Sequence, residues 1–153
     1  MNSPSTQPAG FLPYLVVPDV NQAITFYIQG FGAEETLRLA TAAQQLVHAE
    51  LALAGSVLMV GLEQPGLGLM SPQPQGTVSG TMCFYTADVD AVIAKALEAG
   101  ATLEQGATDE FYGDRVGKVR DPFGHRWSIH TRREKLDPKT IAQRFQELTA
   151  VQP

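Results

Sequence analysis

Apolar residues at Val20, Ala23, Ile24, Tyr27, Ile28 and Phe31 recur at the spacing of one helix face. Asp19 stands ahead of them as an N-cap and Gly32 behind them as a stop. A second series, Val89, Val92, Ile93, Ala96 and Leu97, repeats the spacing between Asp88 and Gly100, and each member lies 89 − 20 = 69 residues after its counterpart. The same offset carries the strand-like alternation at 13–17 onto 82–86, and that at 56–60 onto 125–129. An internal duplication accounts for all of these matches. Each copy reads strand, helix, then three strands: 12–17, 34–39, 46–53 and 56–62 in the first, 81–86, 101–105, 115–120 and 126–131 in the second. Ala54-Gly55 makes a tight hairpin turn in the first copy. Asp121-Pro122-Phe123-Gly124 is expected to form a type I turn with a left-handed exit in the second.

The remaining segments follow from these copies. Residues 1–10, rich in Pro and Ser, are expected to be a disordered leader; 11–63 and 80–134 are the two βαβββ modules. Residues 64–79 hold three Pro and three Gly and form a linker or a lid, with Leu67, Leu69 and Met70 favouring a lid. Residues 135–153 carry a last helix, capped by Asp137 with Pro138 at its first position, and a tail. Its stripe of Ile141, Phe145 and Leu148 must be buried against the domain or a second chain. The fold class expected is α+β: two tandem modules forming a curved mixed-sheet cup, plus a C-terminal helix.

Composition narrows the partners. A net charge of −5 and a pI near 5.1 oppose binding to phosphate backbones and anionic lipids, so neither nucleic acid nor membrane is expected as a partner. The longest apolar run, 51–60, has half the length a bilayer demands. With no basic, apolar signal at its start, the chain is expected to be cytoplasmic. Cys83 has no second cysteine to pair with, and its apolar neighbours Met82 and Phe84 favour a structural role.

Pro13-Tyr14-Leu15-Val16-Val17, His48-Ala49-Glu50-Leu51, Asp114-Arg115-x-Gly117-Lys118 and Asp121-Pro122-Phe123-Gly124-His125-Arg126-Trp127 resemble the vicinal oxygen chelate superfamily of glyoxalase I, bleomycin-resistance proteins and extradiol dioxygenases, and within it the PhnB-like branch. The resemblance implies a ligand held inside the cup, helices outside, and paired copies within or between chains. It also implies a metal-ligand position on the first and last strand of each copy. Those four positions fall on Leu12, Met59, Thr81 and Ser128, none of which is an ordinary divalent-metal ligand. No metal and no cofactor are therefore expected.

Strand alternation extends the inward set. Leu12, Tyr14 and Val16 face the cup on one strand, and Thr81, Cys83 and Tyr85 on its counterpart. A two-residue hairpin sets Glu50 opposite Met59, which turns Glu50 and His48 inward. The 69-residue offset then turns Arg115, Gly117 and Val119 inward, together with Arg126, Ser128 and His130. Trp127 belongs to the core and His125 to the turn. The expected ligand-binding residues are Tyr14, His48, Glu50, Met59, Tyr85, Arg115 and Ser128, with 67–70 closing over them and Arg115 gripping an anionic substituent. Two functions fit. One is a metal-free protein, a homodimer, that binds a small organic ligand in the cup. The alternative is a lyase- or dioxygenase-type enzyme with Glu50 and His48 as acid and base, or as ligands of a displaced metal.

Overall fold

The computed structural model describes residues 7–72 and 76–150. The first six residues of the expected leader and 73–75 of the expected linker lie outside the described residues. The element order is β1 (Tyr14–Val17), α1 (Val20–Phe31), β2 (Glu34–Ala40), β3 (Leu46–Leu53), β4 (Ser56–Leu62), β5 (Thr81–Tyr85), α2 (Val89–Glu98), β6 (Thr102–Asp109), β7 (Asp114–Arg120), β8 (Arg126–Arg132) and α3 (Pro138–Thr149). It is the α+β architecture of two βαβββ repeats. Each repeat makes a four-stranded mixed sheet, ordered β1-β4-β3-β2 and β5-β8-β7-β6, in which the first strand runs parallel to the last.

The helices begin and end where local chemistry dictates. Asp19 accepts from the Gln22 backbone N–H at 2.9 Å, and Gly32 leaves α1 with φ 74°, a left-handed conformation that costs glycine nothing. Asp88 and Asp137 cap α2 and α3 in the same way. Ala54 and Gly55 both have positive φ, as a two-residue type I′ turn requires, and this fixes Leu53 opposite Ser56.

Both helices lie against one face of their sheets and against each other. A Cβ at Gly30 of α1 would stand 3.4 Å from the Ala96 Cα of α2, so two small residues set the helix crossing. Phe26, Tyr27 and Phe31 of the first repeat meet Phe84, Phe123 and Trp127 of the second in one aromatic cluster, mostly edge-to-face or tilted. The repeats therefore share a single core. Trp127 is buried in it, as its alternation implies. The other face of each sheet, its open face, is turned away from the helices.

The flanking segments leave apolar side chains exposed. Leu67, Leu69 and Met70 remain exposed around a short 3₁₀ turn at Pro65–Leu67 and do not close over the open faces. The stripe of α3 is not covered by the domain either: Phe145 touches the Phe111 ring at a 5.4 Å centroid distance, yet Phe145 and Leu148 stay exposed. No helix among the described residues is long and apolar enough to cross a membrane.

Candidate functional site

On the open face of the first sheet, Glu50 pairs with Met59 and Met59 with Tyr14, the neighbours that the tight hairpin requires. Gly61 lies opposite His48, and a Cβ at that position would overlap the Tyr14 ring. Glycine therefore allows the tyrosine to lie across the strand, with its ring centroid 5.7 Å from that of His48. His48 Nε2 is 3.6 Å from Glu50 Oε1. The four residues gather on one surface that is open to solvent.

The second sheet departs from the 69-residue offset. Cys83 pairs with Ser128 as Tyr14 pairs with Met59, so the offset holds for β5 and β8. Across the hairpin, however, Arg120 pairs with Arg126 and Lys118 with Ser128, because residues 121–125 form a loop one residue longer than 53–56. That single residue reverses the faces of β7. Arg115, expected to face the ligand, points to the helix side, where its guanidinium holds Asp90 of α2 at 2.8 Å and Asp109 at 3.3 Å. Gly117 and Val119 move to the helix face with it. A Cβ at Gly117 would overlap Ile93 of α2, and Val119 is fully buried. Lys118 takes the place that corresponds to Glu50, and Asp114 joins the open face.

Asp114 is the centre of a network there, with 2% of its surface exposed. Its Oδ2 accepts from Tyr85 Oη at 2.6 Å and from His130 Nδ1 at 3.1 Å, and its Oδ1 lies 3.5 Å from Arg132 Nε. Burial opposes the charge, but these donors outweigh it and hold the carboxyl below its usual range. The carboxylate in turn raises the Tyr85 phenol. An ionised carboxylate only accepts, so in a neutral His130 ring the hydrogen sits on Nδ1. Nε2 is then left to accept from the Ser128 hydroxyl at 2.9 Å. Tyr112 lies beside the His130 ring, and burial pushes its phenol up.

Ser128, His130 and Tyr112 line a recess of about 480 Å³ together with Thr81, Cys83, Glu104 and Lys118. Arg126 at its rim is held by Glu104 in a bidentate pair at 2.7 and 3.0 Å. Among the described residues, no hydrogen bond or ion pair engages the Lys118 side chain. A second recess, of about 630 Å³, runs between β1 and β5, shares Thr81 and Cys83 with the first, and brings Tyr14 and Tyr85 to one cleft. The expected ligand set is thus divided: Tyr14 and Tyr85 at the cleft, Ser128 at the smaller recess, and His48, Glu50 and Met59 on the open face of the first sheet.

A divalent metal does not fit the superfamily positions. Leu12, Met59, Thr81 and Ser128 supply a thioether, two hydroxyls and a hydrocarbon. Among the described residues, no group of three or more His, Cys, Asp or Glu side chains is close enough to hold a metal ion. Sequence reasoning missed Asp114 and Lys118. The signal for both was the length of the Asp121–His125 loop, whose extra residue is countable.

Comparison with known proteins agrees with the fold. Residues 9–129 match the model of the family described as Glyoxalase/Bleomycin resistance protein/Dioxygenase superfamily. An uncharacterized protein of Mycobacterium tuberculosis is 40% identical over 120 residues, 76% of this chain and 71% of that one. The crystal structure of TioX from Micromonospora sp. ML1 superposes with a TM-score of 0.65 at 26% identity, over 81% of this chain and 98% of that one. An Arabidopsis thaliana gene product of known structure gives 0.63 at 33% identity, over 79% and 97% of the two chains.

Proposed function

The chain belongs to the Glyoxalase/Bleomycin resistance protein/Dioxygenase superfamily, and from that premise we propose that it binds a small organic anion, without a metal, on the open face of its second sheet. The observation that carries this is Lys118. Lys118 is half-buried in a recess and has no acidic partner within ion-pair distance among the described residues, while the one carboxylate that shares the lining, Glu104, is engaged by Arg126, so the ammonium is left to attract a ligand's negative group. The walls suit a compact molecule with a flat apolar part, since Tyr112 and Cys83 both line the recess. Anion recognition, expected of Arg115, passes to Lys118 because Arg115 is committed to Asp90 and Asp109.

Calorimetric titration with benzoate, set against benzyl alcohol, tests the reading. Benzoate is expected to bind and the alcohol not to. Lys118→Met should weaken benzoate about tenfold or more, a loss of ~1.4 kcal/mol or greater. Equal binding of both compounds, or an unaffected Lys118→Met variant, would sink it.

The enzyme alternative through Glu50 and His48 is favoured only by their 3.6 Å approach, and neither residue lines the two recesses. We also propose a homodimer, supported by the exposed Phe145 and Leu148 of α3. Light scattering at micromolar concentration is expected to return twice the chain mass.

A further inference from the structure

Ser128, His130 and Asp114 stand in series, the first two lining the recess and Asp114 behind them. Ser128 Oγ is 2.9 Å from His130 Nε2, and His130 Nδ1 is 3.1 Å from Asp114 Oδ2. Strand geometry produces this order. Ser128 and His130 are two residues apart on β8 and share a face, while Asp114 comes from the neighbouring β7, two residues beyond the Val116 that pairs with His130, and so shares that face. A hydroxyl bonded to an imidazole that is itself oriented by a buried carboxylate is the arrangement that activates an oxygen nucleophile. Lys118 lies directly opposite Ser128 in the β7–β8 register, so the two side chains share a face, and both line the recess.

We propose that Ser128 is a nucleophile for acyl transfer, with His130 as its general base, Asp114 as the positioning residue, and small carboxylic esters as the substrate class. The inference rests on the recess being a ligand site, and it assigns chemistry to that site. In the first half, Oγ bonds to the acyl carbon while its proton passes to His130 Nε2. The imidazolium so formed is stabilised by the Asp114 carboxylate. The carbonyl oxygen takes up the electron pair beside the Lys118 ammonium, which lowers the energy of that charge. The ester C–O bond then breaks, and the proton on Nε2 goes to the departing alkoxide. In the second half, water attacks the acyl carbon, gives its proton to Nε2, and expels Ser128, which recovers that proton. The products are an alcohol and a carboxylate, and the carboxylate is the anion that Lys118 holds.

The purified protein treated with p-nitrophenyl acetate provides the test. Wild type is expected to release a burst of p-nitrophenolate equal to the protein present, to gain one acetyl group by intact mass, and to carry it on Ser128 by peptide mapping. Cys83→Ser should retain the label, which separates this chemistry from thiol acetylation at the same recess. His130→Gln should slow acylation by about a hundredfold or more. Ser128→Ala should abolish the burst while its circular dichroism spectrum still reports a folded protein. A wild-type protein that shows no burst and no acetyl on Ser128 overturns the proposal, as does a burst that survives in Ser128→Ala. If benzoate still binds in those cases, the nucleophile falls and the anion site stands.

Discussion

Tyr27 Oη donates to Asp121 Oδ2 at 2.5 Å, joining α1 of the first repeat to the hairpin of the second across 94 residues of sequence. The same carboxylate accepts from Trp127 Nε1 at 2.9 Å and from the backbone N–H groups of Phe123 and His125. His125 adds a second tie, with Nε2 at 2.9 Å from the Val16 carbonyl oxygen. The Asp-Pro-Phe-Gly-His turn is therefore a joint between the repeats as well as the end of a hairpin.

Removing one donor from that buried carboxylate should be costly. Tyr27→Phe is expected to lose about 1.5–3 kcal/mol of stability, measured by urea unfolding at neutral pH. Burial and the Asp121 charge hold the Tyr27 phenol well above its ordinary value. Above about pH 10 the unfolded chain gives up this proton and the folded chain does not, so stability falls as pH rises. The variant should show a shallower alkaline decline; an identical slope would disconnect Tyr27 from it.

Asp114 supplies the opposite pH dependence. Its folded pKa lies below the unfolded value, so its stabilisation is complete above about pH 4 and disappears as pH falls through the folded value. Asp114→Asn is expected to unfold about 1–3 kcal/mol more easily at neutral pH. The two melting curves should converge in strong acid. A gap that persists there would mean that shape, and not charge, sets the role of Asp114.

The reversed faces of β7 can be read by mutation. Gly117→Val drives a side chain against Ile93 of α2 and is expected to cost about 1–3 kcal/mol in chemical unfolding. Arg115→Ala should leave benzoate affinity unchanged, because that guanidinium lies on the helix side. Loss of affinity in Arg115→Ala would restore the original assignment of the strand.

Cys83 is exposed and lines both recesses. Iodoacetamide is expected to label it in the native protein, and saturating benzoate to slow that labelling several-fold. Labelling at the same rate with and without benzoate would place the anion elsewhere.

Much of this protein was legible in its sequence because much of it is local. The caps at Asp19, Asp88 and Asp137 need only a carboxylate within reach of a few N–H groups, and Gly32 needs only freedom in φ. Hydrophobic spacing and the 69-residue repeat fixed both βαβββ units, and Ala54-Gly55 fixed the register of the first sheet. What the sequence left undecided depends on contacts between distant residues. The face of β7 turned on one extra loop residue, and with a side-chain period of two a single step moves a whole strand's set to the other face. Asp114 became the centre of a site only when β5, β7 and β8 brought Tyr85 and His130 to it. Tyr27 found Asp121 only when two helices and two sheets closed on one core, since a buried hydroxyl must find an acceptor and the nearest lay in the other repeat.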